Sequence, residues 1–118
     1  MVYVIDDDPI MADCIVRACA KVGKSAKIFS DALAAMNAIS SQPLPELIFL
    51  DILLIGPDGF TFLNELVSYT DTARIPVVVI TSLHLKEQDL SDYGVVGVLF
   101  KDQMYPEDIR AYVEKYAN

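Results

Sequence analysis

Basic residues are scarce in this chain: 9 Lys and Arg stand against 17 Asp and Glu in 118 residues, a formal charge of −8. Nor do the cations cluster, since Arg17, Lys21, Lys24 and Lys27 are spread along a predicted helix and the turn and strand after it. A phosphate backbone needs grouped Lys and Arg, so no nucleic-acid contact is expected from this domain. Cysteine is equally sparse. Cys14 and Cys19 fall on different faces of that helix and match neither a CxxC redox pair nor a zinc pattern, which leaves two small buried apolar residues as their reading. No apolar run reaches the length of a membrane span, and the first strand starts at Met1 with no room for a signal peptide, so a cytoplasmic, membrane-free protein is expected. No glycine-rich phosphate loop follows that strand, which argues against a nucleotide-binding domain. Linkers, repeats and low-complexity stretches are missing too, and residues 1–118 read as one domain.

What the chain has is apolar strands alternating with amphipathic helices, in a composition that is 53% hydrophobic. Strands are expected at Met1 to Ile5, Ala26 to Phe29, Leu47 to Leu50, Pro76 to Ile80 and Val95 to Phe100. The first helix starts on Asp8-Pro9, a cap followed by proline at the first helical position, and turns Met11, Ile15, Ala18 and Val22 inward. Ser30 is expected to cap the second helix, with Leu33, Met36 and Ile39 inward. A Gly56-Pro57-Asp58-Gly59 turn leads to a third helix with Phe60, Leu63, Leu66 and Val67 inward. A polar, weakly patterned helix is expected from about Leu85 to Tyr93, and Pro106 opens a last helix bearing Ile109, Tyr112, Val113 and Tyr116. Strands with no alternating polar face are buried on both sides. The expected class is therefore α/β, a five-stranded parallel sheet with five helices on its two faces and right-handed crossovers.

In such a sheet the C-terminal strand ends share one edge, where open α/β folds place their ligand sites. Here they carry Asp6-Asp7-Asp8, Asp51, Thr81 and Lys101. Asp6, Asp7 and Asp51 brought together repel by about 4 kcal/mol per close pair at an effective dielectric near 20, so they call for a compensating cation. Carboxylate, carbonyl and water oxygens suit Mg²⁺, whose open positions accept phosphate oxygens. With Lys101 as a point charge and Thr81 as a hydroxyl donor, the set contains the parts for phosphoryl transfer to a carboxylate. Asp8 reads as a helix cap, and His84 as an exposed loop residue.

Asp6-Asp7, Asp51, Thr81-Ser82 and Lys101, each at a strand end and in that order, resemble the receiver domain of two-component response regulators over the whole chain. The resemblance implies a flavodoxin-like sheet of order 2-1-3-4-5 and transfer of a phosphoryl group to Asp51 from a histidine kinase or histidine phosphotransfer protein. It implies Mg²⁺ held by Asp6, Asp7, Asp51 and the backbone carbonyl of Leu53. Thr81 would follow the phosphoryl group, Lys101 would pair with it, and the small Ser82 would leave access. Signalling would then pass through the face made by the Leu85–Tyr93 helix, the Val95–Phe100 strand and the last helix, and self-association into a homodimer through that face stays open.

The chain departs from the family at several positions. Asp102 follows Lys101 where the family has proline, Val98 stands where the family has an aromatic ring that rotates inward, and Leu54-Ile55 replaces Met-Pro. Two other readings compete. A degenerate receiver would act as an interaction module without phosphorylation, and an aspartyl phosphohydrolase would need a second acid two residues after Asp51, where Leu53 stands. A switch rather than an enzyme is expected.

Overall fold

The computed structural model describes residues 1–41, 43–53, 59–82 and 90–117. Five strands, β1 (Val2–Ile5), β2 (Ala26–Phe29), β3 (Leu47–Asp51), β4 (Val77–Thr81) and β5 (Val95–Phe100), form one parallel sheet of order β2-β1-β3-β4-β5. Four α-helices stand among the described residues, α1 (Pro9–Lys21), α2 (Ala32–Ser41), α3 (Gly59–Val67) and α4 (Pro106–Tyr116). The fifth expected helix, Leu85–Tyr93, falls mostly on residues 83–89, outside the described ones. Its end, Ser91–Tyr93, is a single 3-10 turn rather than α-helix.

Every residue of β1, β3 and β4 is buried, as apolar strands covered on both faces must be. Tyr3, Ile5, Ile48, Leu50, Val77 and Val79 pack on one face with α2 and α3. Val2, Val4, Leu47, Phe49, Val78 and Ile80 pack on the other with α1 and α4. The β4–β5 pairing slips at its start, where Val77 meets Val95 but Val78 meets Gly97. The extra residue, Val96, lies at the sheet edge and is 37% exposed.

The first helix begins as its sequence indicates: the Asp8 carboxylate accepts from the Ile10 and Met11 amides, with Pro9 opening the helix. The inward faces are turned slightly from the expected ones. In α1, Ala12 and Cys19 join Ile15 and Ala18 in the core, whereas Met11 is half-buried and Cys14 is exposed. In α2 the inward set is Ala32, Ala35, Ala38 and Ile39, Leu33 is left exposed, and Asp31 rather than Ser30 accepts from the Ala34 amide. In α3, Phe62 is buried in place of Phe60. The faces that α1 and α2 turn to the sheet are thus mostly small, three alanines in α2 and two alanines with a cysteine in α1.

Candidate functional site

Parallel pairing delivers the acidic residues to one edge. Ile5 is the register partner of Leu50, so Asp6 and Asp51, each the next residue, leave the sheet as neighbours. Carboxylate oxygens of Asp6, Asp7 and Asp51 lie within 4.8 Å of one another. Asp6 and Asp51 are buried and Asp7 is exposed. Thr81, ending β4, is also buried, and Lys101 follows the end of β5.

Each carboxylate is oriented by its own loop. Asp6 Oδ1 accepts the Asp8 amide at 2.9 Å, and Asp51 Oδ1 accepts the Leu53 amide at 2.9 Å. The second oxygen of Asp51 takes the Lys101 ammonium at 3.0 Å, and the Lys101 backbone is tied to β4 by its amide donating to the Thr81 carbonyl at 2.9 Å. Lys101 therefore reaches Asp51 with Asp102 behind it instead of proline, and with no cis peptide among the described residues. Burial pulls the Lys101 ammonium down, yet the hydrogen bond to Asp51 and the charges of Asp6, Asp51 and Asp8 outweigh it, and the net shift is upward.

The second oxygen of Asp6 is different. It is buried and accepts no hydrogen bond, the one such side-chain atom among the described residues. Burial lifts the Asp6 carboxyl from 3.8 to about 6; the Asp8 amide and Lys101 pull the other way, while Asp51 and Asp8 add repulsion. A buried, unpartnered carboxylate oxygen facing two further carboxylates is what a hard cation relieves. The donor set, all oxygen, fits Mg²⁺ or a similar divalent ion.

The structure thus brings together Asp6, Asp7, Asp51 and Lys101, with Thr81 tied to Lys101 through its backbone. Leu53 sits beside the acceptor, its side chain 46% exposed at the mouth. Sequence reasoning missed the Asp8 amide, which fixes Asp6. Its signal was the aspartate two residues upstream, since Asp side chains commonly accept an amide two residues on. His84 and Asp58 lie outside the described residues.

A doubly wound sheet with acidic strand ends and a lysine aimed at one of them defines an acidic-site α/β domain of flavodoxin-like topology. The model of the response regulator receiver domain matches residues 2–114, and the chain belongs to that family. It is similar to the DNA-binding dual master transcriptional regulator RpaA of Synechocystis sp., 34% identical over 82 residues that make up 70% of this chain and 34% of that protein. It is also similar to the response regulator Rcp1 of the same organism, 39% identical over 72 residues, 56% of this chain and 49% of the relative. The matched region thus spans between a third and a half of these relatives. Among solved structures, the Mn²⁺-bound form of Rcp1 superposes with a TM-score of 0.79 at 25% identity, covering 96% of this chain and 91% of that one. The receiver domain of NtrX from Brucella abortus gives 0.83 at 26% identity, covering 98% and 96%.

Proposed function

We propose that this receiver, residues 1–118, is a phosphorylation-controlled signalling switch whose acceptor is Asp51. The observation that supports this most directly is the state of the Asp51 carboxylate: buried at a strand end, fixed by the Leu53 amide and by Lys101, and set beside Asp6 and Asp7. In the proposed step an Asp51 oxygen forms a bond to phosphorus as the phosphorus–nitrogen bond of a donor phosphohistidine breaks. The departing imidazole nitrogen keeps the electron pair and is neutral or takes a proton. The donor is a histidine kinase or histidine phosphotransfer protein.

Asp6, Asp7, Asp51 and the Leu53 carbonyl would hold Mg²⁺, which when bound supplies positive charge for the oxygens of the transferred group. The Lys101 ammonium, bonded to the second oxygen of Asp51, contributes a further positive charge, and the Thr81 hydroxyl is a donor for the phosphoryl oxygens. Phosphorylation is stoichiometric, one group per chain, so the protein is a switch and not a turnover catalyst. Its output passes through β5, α4 and the segment leading into β5, to a partner or to a second copy. No helix among the described residues is long and apolar enough to cross a membrane. The proposed donors act in the cytoplasm, and the reading places the domain there with them.

Incubation with acetyl phosphate and Mg²⁺ followed by intact-mass measurement tests the assignment. One phosphoryl group is expected on the parent and none on Asp51→Asn. Equal labelling of the two would overturn it, and no labelling of the parent would favour the phosphorylation-independent module.

A further inference from the structure

We infer that the trough between α2 and α3 binds a small arylalkyl ammonium ion, an aromatic ring joined by a short chain to one positive charge. Ala32, Met36 and Ser40 line the trough from successive turns of α2, and Phe62, Glu65 and Tyr69 line it from α3 and the turn that follows. From Ala32 to Ser40 the helix rises about 12 Å. The cavity has a volume of about 370 Å³, within the range of roughly 300–1,000 Å³ found for small-molecule sites. It shares no residue with the Asp51 site, so the inference stands apart from the acceptor reading.

The walls define the ligand. Phe62 and Ala32 are buried and form an apolar floor, the half-buried Met36 supplies a thioether that suits an aromatic ring, and Leu33 and Tyr69 leave apolar surface exposed at the rim. Charge is almost missing from this part of the molecule. α2 carries no charged residue, Glu65 is the one charge of α3, and Glu65 enters no ion pair among the described residues. An anion would meet the Glu65 carboxylate in a chain of net charge −8, and a neutral apolar molecule would leave that carboxylate unanswered. A cation on an apolar body answers both the wall and the charge. The Ser40 hydroxyl already donates to the Met36 carbonyl at 3.0 Å, so what it offers a ligand is an oxygen that accepts an ammonium N–H. Tyr69, four residues after Glu65, adds an aromatic face for the same charge.

The test titrates the whole chain with three molecules of one shape, 4-phenylbutylammonium, 4-phenylbutanol and 4-phenylbutyrate, and follows the backbone amides by ¹H–¹⁵N NMR. The ammonium is expected to shift amides of residues 32–40 and 61–69 saturably, the alcohol to bind about fivefold more weakly, and the carboxylate more weakly still. Glu65→Gln, a change at an exposed position, should bring the ammonium down to the affinity of the alcohol and leave the alcohol where it was. Ser40→Phe, also at an exposed position, should fill the trough and weaken all three. No saturable shift of those amides by the ammonium would overturn the inference. So would equal binding of ammonium and alcohol by the parent, which would mark a plain apolar surface suited to a protein partner, or a preference for the ammonium that survives Glu65→Gln.

Discussion

Asp6 sets the electrostatic character of the site at the scale of a single residue. Its folded value, about 6, lies above the unfolded 3.8. A raised carboxyl value means that the folded protein holds the proton more tightly, so the favourable contribution is complete below pH 4 and is lost as the pH rises through 6. The difference amounts to about 3 kcal/mol against the fold at pH 7 without a cation. Asp6→Asn should therefore raise the melting temperature of the metal-free protein at pH 7, and the gap between variant and parent should close as the pH falls to 4, as read by thermal melts across that range. A gap that does not vary with pH would refute burial of the Asp6 charge as the cause. Leu53 governs a different property, because its aliphatic side chain at the mouth cannot orient a water for attack on a phosphoryl group. The phosphorylated form should accordingly be long-lived, and Leu53→Asn should shorten its half-life by about tenfold, less than the roughly 10²-fold or more of a general base, because an amide orients a water without taking its proton. Mass measurements at successive times after donor removal decide it.

Two elements are placed by backbone contacts too close for any side chain. A Cβ on Gly59, the first residue of α3, would lie 2.6 Å from Ile52 Cα, so α3 is seated directly on the turn after Asp51. A Cβ on Gly97 would run into the ring and hydroxyl of Tyr112, which fixes α4 over β5. The obstacle is backbone in the first case and a side chain in the second. Gly59→Ala should consequently cost more than Gly97→Ala, within the range of about 1–3 kcal/mol for overpacking, and Tyr112→Leu should rescue only the second; urea denaturation of the four variants checks this. Strands were the most legible elements in the sequence, since an uninterrupted apolar run such as Val77 to Ile80 has few other uses. The site was legible for the same reason, because a polar residue ending such a run is conspicuous. Helix faces were less so. Periodicity ranks Leu33 and Phe60 as core because they are large, but α2 buries its alanine face and α3 buries Phe62 instead, a choice between neighbouring faces that apolar size alone does not decide. Asp8's amide was less legible because a main-chain donor shows in a sequence only through the side chain that accepts from it, here Asp6 two residues before.

At the scale of the whole molecule, Asp6, Asp7 and Asp51 gather three carboxylates at one sheet edge, and any cation bound there favours the folded state. At ten times its dissociation constant Mg²⁺ should add about 1.4 kcal/mol, raising the melting temperature by about 5 °C for a domain of this size. Asp7→Asn should weaken that response; an unaltered response would place the ion elsewhere. The sheet order has a kinetic corollary. β1 lies between β2 and β3, and Val2 meets Leu47 across more than twice the length of chain that separates Val77 from Val95. Closing the longer loop is about 0.8 kcal/mol more costly in entropy, so β4 and β5 can find each other sooner than β1 and β3 can. The carboxylates of Asp6 and Asp51 are then expected to converge late, where their mutual repulsion bears little on the search. In stopped-flow chevrons Mg²⁺ should leave the refolding arm unmoved and slow the unfolding arm, making the ion a brake on departure from the native state and not an aid to reaching it.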